Sequence, residues 1–164
     1  MITEKNLIEA FSGESQANRK YSFFSKKAKK EGYNSVAKLF KAASMAESIH
    51  AYNHLEALND IKFTEENLKE AINGETYEFT KMYPSFIDKA KEENKEKALL
   101  SFEKAIEAEK IHAKLFSDIL LNLDKREEAE FYLCPVCGYI EKNNIPDICP
   151  ICGTKGNAFI KVEL

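Results

Sequence analysis

The sequence predicts a mainly α protein, a four-helix bundle followed by a small metal-bound β module, and three observations carry that prediction. Apolar residues recur at helical spacing through most of the first 123 residues. Two Glu-x-x-His pairs, Glu47-Ser-Ile-His50 and Glu109-Lys-Ile-His112, fall on those apolar stripes in two different helices. All four cysteines lie in the last 31 residues, as Cys134-Pro-Val-Cys137 and Cys149-Pro-Ile-Cys152. A chain of 164 residues holds one ordinary domain plus an appendage. The composition shift sets the expected division at 1–126 for the bundle and 127–164 for the cysteine module.

The first helix is expected over about 3–31, with Leu7, Ala10, Phe11, Ala17, Tyr21, Phe24 and Ala28 on one stripe and Glu14 inside it. The second, over about 35–58, leads from Val36, Phe40 and Ala43 to Glu47 and His50. His54, one turn on, is read as structural. The third starts with Thr64 as its cap and Glu65 and Glu66 in the first turn. Its inward stripe passes Leu68, Ala71 and Ile72 to Glu75, Glu78, Met82 and Phe86, with a kink expected near Thr80 to Pro84 because proline lacks a donor and clashes four residues back. The fourth, over about 95–123, repeats the second: Ala98, Phe102 and Ala105 lead to Glu109 and His112. Glu14 precedes Glu47 by 33 residues and Glu75 precedes Glu109 by 34, so the chain reads as two copies of one hairpin, with 59–63 crossing between the halves.

Positions i and i+3 share a helix face, so each Glu-x-x-His aims a carboxylate and an imidazole at one point. One Glu from each of two helices plus Glu-x-x-His from each of two others is the donor set of ferritin-like dinuclear carboxylate bundles. Five inward carboxylates without cations would be strongly unfavourable, and carboxylate with imidazole suits iron or manganese better than a soft metal. In the cysteine module, each Cys-Pro-x-Cys-Gly is a knuckle: two thiolates grip one metal, and Gly138 or Gly153 lets the backbone fold beneath them. Two knuckles make a tetrahedral four-thiolate site, which suits zinc or a single iron. Residues 131–133 and 158–162 are expected as short strands, and 124–130 as a charged linker or frayed helix end.

The net charge of -3 argues against nucleic acid as a partner. The cluster Lys26, Lys27, Lys29 and Lys30 reads as the cationic end of a helix before Gly32. The N-terminus lacks the apolar core of a signal peptide and no run spans a bilayer, so a cytoplasmic protein without a membrane partner is expected. In that compartment paired cysteines read as metal ligands rather than disulfides.

Together these motifs resemble rubrerythrin, a ferritin-like di-iron bundle followed by a rubredoxin-like iron module. The resemblance rests on Gly13-Glu14-Ser15-Gln16-Ala17-Asn18, both Glu-x-x-His pairs, Gly74-Glu75-Thr76-Tyr77-Glu78 with Met82-Tyr83-Pro84, and both knuckles. It implies Glu47 and Glu109 as bridging carboxylates, Glu14 on one iron, and Glu75 and His112 on the other. The first iron is implied to exchange Glu78 for His50 on reduction. Cys134, Cys137, Cys149 and Cys152 are implied to hold a third iron, with zinc as a possible substitute. Tyr21 and Tyr83 match tyrosines that line the family's site.

The implied activity is reduction of hydrogen peroxide to water, in protection against oxidative stress. Electrons are implied to enter at the cysteine-bound iron, from an external NAD(P)H-linked donor such as rubredoxin or a flavoprotein reductase, and to reach the di-iron site of a partner subunit in a homodimer or higher homo-oligomer. The chain has no Gly-x-Gly-x-x-Gly or P-loop of its own. The linker and the knuckle spacing are compact for the family. The competing readings are an iron-storage protein, which has no need of an electron-transfer module, and a helical adaptor with a zinc ribbon, which has no need of five inward carboxylates.

Overall fold

The computed structural model describes residues 1–126 and 128–164, so the expected first residue of the cysteine module, 127, lies outside the described residues. The chain divides into two compact units, Met1–Lys62 and Phe63–Leu164.

The first unit is an antiparallel pair of helices, α1 (Ile2–Lys30) and α2 (Asn34–Ala57). Both lie within a residue or two of their expected bounds. Gly32 turns the chain at φ +85, a left-handed conformation that a side chain resists, while the Tyr33 N–H donates to the Ala28 carbonyl and the Gly32 N–H to that of Lys29. Small residues at Ala28, Ala37, Ser44 and Ala51 are buried and let the helices approach closely. A polar clamp then fixes their register. The Asn18 Nδ2 donates to the Ser44 carbonyl at 2.6 Å, and the Ser44 hydroxyl returns to the Asn18 carbonyl at 2.9 Å. Tyr21 and Phe24 of α1 pack on Phe40 of α2, with ring centroids 6.0 and 5.5 Å apart.

The second unit repeats this hairpin and adds the cysteine module. Helix α3 (Thr64–Tyr77) runs into a π-helical turn (Glu78–Met82) and then α4 (Tyr83–Glu92), which pairs with α5 (Glu96–Leu121). Asn94 takes the place of Gly32, at φ 54, and the Lys95 N–H donates to the Ala90 carbonyl as Tyr33 does to Ala28. The aromatic cluster recurs as well. Tyr83 and Phe86 lie 6.1 and 5.6 Å from Phe102.

These counterparts, Tyr21 and Tyr83, Phe24 and Phe86, Phe40 and Phe102, Glu47 and Glu109, His50 and His112, are each 62 positions apart, whereas Glu14 and Glu75 are 61 apart. The extra residue is absorbed by the π turn, in which the Tyr83 N–H reaches the Glu78 carbonyl five residues back. The expected proline kink is therefore a widened turn, into which the Pro84 ring fits without meeting a tight α-helical carbonyl. Thr64 is also not a cap: Phe63 holds that position in extended conformation, without a side-chain bond, and Thr64 is the first helical residue.

A 3-10 turn (Leu123–Lys125) ends the helical part. Three short antiparallel strands follow in the order β2-β1-β3: β1 (Phe131–Leu133), β2 (Ile140–Lys142) and β3 (Ile160–Lys161), with Tyr132 opposite both Glu141 and Lys161. The second strand was not expected, and the third is shorter than predicted because Gly156–Ala158 forms a 3-10 turn. Gly156 is required there, since a Cβ would stand 2.1 Å from the Pro146 carbonyl oxygen. Cys134, Tyr139 and Cys149 form the buried centre of the module, with Phe159, Ile151 and Ile111 of α5 packed around it.

Candidate metal centres

Helix α1 carries Glu14 and α2 carries Glu47 and His50 on the faces that meet, so their ligand atoms lie within 4.8 Å of one another. The His50 Nδ1 is 3.0 Å from Glu47 Oε2 and 4.0 Å from Glu14 Oε1. In the second unit Glu75, Glu109 and His112 repeat this triad. The His112 Nδ1 is 2.6 Å from Glu109 Oε2 and 3.9 Å from Glu75 Oε1. The two triads hold six of the seven donors expected from sequence in the helical part, all but Glu78. Glu78, on the π turn, stands outside the tight triad but within electrostatic reach of Glu75 and His112.

None of the five carboxylates is fully buried, contrary to the expectation of a buried set. Glu14, Glu47, Glu75, Glu78 and Glu109 are part-exposed, and the side chain of His50 is 53% exposed against 16% for His112. A helix pair covers only the seam between its two helices, leaving the outer edge of the triad to water. Even so, the carboxylates press on one another. Glu14 is raised above the usual carboxylate value by the hydrogen bond it shares with Glu47, and Glu75 by burial and by Glu109. Glu78 is raised by burial and by Glu75. Each triad thus resists full ionisation without a cation to offset its carboxylates. The Tyr83 hydroxyl is raised too, by burial and then by Glu78, Glu109 and Glu75, so it stays a donor facing the carboxylates. Tyr21 sits in the ring cluster with Phe24 and Phe40.

The four cysteines converge as expected. Cys134 Sγ is 3.6 Å from Cys152 Sγ and Cys137 Sγ is 3.5 Å from Cys149 Sγ, all as free thiols. In each knuckle the glycine N–H closes back on the first cysteine's carbonyl, Gly138 on Cys134 at 3.1 Å and Gly153 on Cys149 at 3.0 Å, with φ of 83 and 73. Burial pushes the Cys137 and Cys149 thiols up. Burial opposes ionisation of Cys152 as well, but hydrogen bonds led by the Thr154 hydroxyl, 3.1 Å away, bring it to about 6. Four sulfurs at these distances match one tetrahedral ion, and the carboxylate and imidazole triads match a harder one, so both donor sets fit iron.

One contact was not legible in the sequence. The His112 Nε2 is 2.8 Å from the carbonyl oxygen of Gly138, in the first knuckle. With Nδ1 turned to the glutamates, Nε2 carries the proton and donates it, the arrangement that orients a metal-ligating imidazole. The same bond joins the carboxylate triad to the cysteine module through one ring and two residues of backbone. An apolar cavity of about 360 Å³, lined by Leu68, His112, Phe116, Phe131, Ile140 and Val162 among others, lies beside it. Thr154 was likewise missed; its only sequence signal is its place just after Cys152-Gly153.

Known proteins place these features in context. Residues 5–120 match the family model Rubrerythrin, and residues 132–160 match the rubredoxin-like domain of rubrerythrin. The chain is 34% identical to Rubrerythrin-2 of Clostridium acetobutylicum, over 96% of this chain and 95% of that protein. It is 37% identical to nigerythrin of Nitratidesulfovibrio vulgaris, over 92% of this chain and 81% of that one. Among solved structures, fully reduced, all-ferrous nigerythrin aligns with a TM-score of 0.61 at 35% identity, covering 98% of this chain and 86% of that one. Among the described residues no helix is long and apolar enough to cross a membrane.

Proposed function

The chain belongs to the rubrerythrin family, a ferritin-like di-iron bundle with a rubredoxin-like module, and on that premise we propose that it reduces hydrogen peroxide to water. The balance is one peroxide, two protons and two electrons to two waters. The observation that carries the reading is the His112 to Gly138 hydrogen bond, which links a carboxylate triad to a four-cysteine module inside one chain. A storage protein has no use for that link.

In this reading residues 1–126 serve the reaction and 127–164 deliver electrons. Bound iron supplies the redox chemistry, one ion on Cys134, Cys137, Cys149 and Cys152 and two on the glutamates and histidines. As the resemblance implies, Glu47 and Glu109 would serve both ions, Glu14 and His50 one of them, and Glu75 and His112 the other. Each imidazole gives its Nδ1, and His112 is held in that tautomer by the Gly138 carbonyl. Glu78, on the π turn, would be the carboxylate that exchanges with His50, as the resemblance implies. Tyr83 keeps its proton at Oη because burial and three carboxylates disfavour the phenolate, so it can donate to the substrate oxygen. Tyr21 is its counterpart in the other hairpin.

The electron donor is external, a rubredoxin or a flavoprotein reductase fed by NAD(P)H, and the setting is protection from oxidative stress in the cytoplasm. The test is anaerobic: the iron-loaded protein, supplied with such a reductase system, should consume peroxide catalytically. Failure to consume it above the rate of the reductase alone, at full iron occupancy, would overturn the assignment.

A further inference from the structure

We propose that Thr154 is a positioning residue of the relay, acting through Cys152: its hydroxyl donates to the Cys152 sulfur, and that bond raises the reduction potential of the iron held by the four cysteines. This rests on the reading above only in placing iron, rather than zinc, at that site.

The two knuckles supply an internal comparison, because both follow one backbone plan. The first cysteine of each donates its N–H to the residue after the glycine, Cys134 to the Tyr139 carbonyl at 2.8 Å and Cys149 to the Thr154 carbonyl at 2.7 Å. The second cysteine of each receives a backbone N–H, from Tyr139 on Cys137 and from Thr154 on Cys152. The main chain therefore treats the two sides alike. The side chains do not. Tyr139 packs its ring against Phe159 and turns its hydroxyl to Glu141, whereas the Thr154 hydroxyl stands 3.1 Å from Cys152 Sγ. Among the described residues, Cys152 is the one cysteine of the four with a side-chain hydroxyl on its sulfur.

The hydroxyl is held there by the fold. Gly153 turns left-handed at φ 73, the Cys149 N–H grips the Thr154 carbonyl, and Ile148 pairs with Lys155 in an antiparallel bridge, so the Thr154 backbone is fixed on both sides. Its branched side chain has few rotamers. The contacts of the sulfurs with one another give way to bonds to the metal, but Thr154 is no ligand and keeps its place. A metal-bound thiolate carries no proton, so the hydroxyl is the donor. Reduction of ferric to ferrous iron adds one electron and leaves the sulfurs more negative, and a hydrogen bond donated to them is stronger in that state. The Thr154 bond therefore favours the ferrous form, and a weaker reductant suffices to keep the relay charged.

The test is a redox titration of the full iron-loaded chain with chemical mediators, read from the visible absorption of ferric iron on thiolate. Thr154→Val keeps the branched shape without the donor, and Thr154→Ser keeps the donor without the methyl. At a fixed potential the ferrous-to-ferric ratio in Thr154→Val should fall about tenfold, a midpoint about 59 mV lower for one electron. Thr154→Ser should hold the wild-type ratio, and so should Tyr139→Phe, which removes the hydroxyl at the matching position of the other knuckle. A wild-type midpoint in Thr154→Val would overturn the proposal. Equal shifts in Thr154→Val and Thr154→Ser would overturn it too, since shape and not the donor would then be responsible. Iron lost from both Thr154→Val and Thr154→Ala would assign the residue to holding the knuckle together, and the tuning role would be wrong. A wild-type four-cysteine site that is silent in the titration and full of zinc would instead overturn the relay itself, and the tuning with it.

Discussion

Replacing Cys149 with serine separates the reaction centre from its supply. Cys149 is 1% exposed, its N–H is committed to the Thr154 carbonyl at 2.7 Å and its carbonyl to the Gly153 N–H at 3.0 Å, so the substituted side chain cannot be compensated by movement of the knuckle. A hydroxyl is a harder and shorter donor than a thiolate, and the four-sulfur set is broken. The carboxylate triads are untouched. Reduction of peroxide takes two electrons, which a reduced di-iron site holds once. The magnitude follows from that count: chemically pre-reduced Cys149→Ser protein should consume about one peroxide per di-iron site and then stop, while wild type with a reductase continues. Stopped-flow absorbance gives the single turnover and a peroxide electrode the steady state. His112→Ala is the control, since it removes a ligand and the bond to Gly138 together, and should impair the single turnover itself. Sustained turnover by Cys149→Ser with an intact reductase supply would mean that electrons bypass the module, and the relay would be wrong.

Glu78→Ala should lower peroxide turnover more than iron content, whereas Glu47→Ala or Glu109→Ala should empty the dinuclear site; paired iron counts and stopped-flow rates check this, and equal iron loss in all three would remove the special role of Glu78. In metal-free protein Glu75 and Glu78 are raised above the ordinary carboxylate value, so the stability they contribute is present in acid, below that value, and is lost as pH rises through their folded values. Melting with chelator should therefore show a loss of stability as pH rises above the ordinary carboxylate value, a loss that shrinks in Glu75→Gln, and iron should reverse the trend because bound ligands are ionised; an unchanged pH profile in Glu75→Gln would contradict it. Ser44→Ala removes the bond to the Asn18 carbonyl at a buried helix contact and should cost about 1 kcal/mol in denaturant unfolding, with no change in iron content. An unchanged midpoint would show that the clamp contributes nothing.

Much of the fold was legible because ligands and apolar stripes share one period. The bounds of α1, α2 and α5 follow from helical spacing, and the doubled hairpin from the glutamate spacing. Both knuckles could be read because Cys-Pro-x-Cys-Gly fixes its own backbone. What sequence spacing hid was the π turn. Proline at 84 drew attention to a kink, but the informative signal was the one-residue mismatch, 61 positions from Glu14 to Glu75 against 62 for the aromatic pairs. The strand Ile140–Lys142 was missed because three residues are too few to show an alternating pattern. The bond from His112 to Gly138 joins residues 26 apart through folding alone, and no local pattern announces it. The inward placement of the glutamates was correct in direction but overstated in depth, since a two-helix seam shelters a carboxylate only on one side.

In the proposed site the two triads would share one pair of iron ions. Mössbauer spectroscopy of anaerobically purified protein, enriched in ⁵⁷Fe and then oxidised, tests that most directly. The expected spectrum contains a diamagnetic, spin-coupled ferric pair and a separate high-spin ferric signal from the four-thiolate site in a ratio of two irons to one. Uncoupled mononuclear ferric signals from the two triads, or full zinc occupancy of the carboxylate ligands, would contradict it.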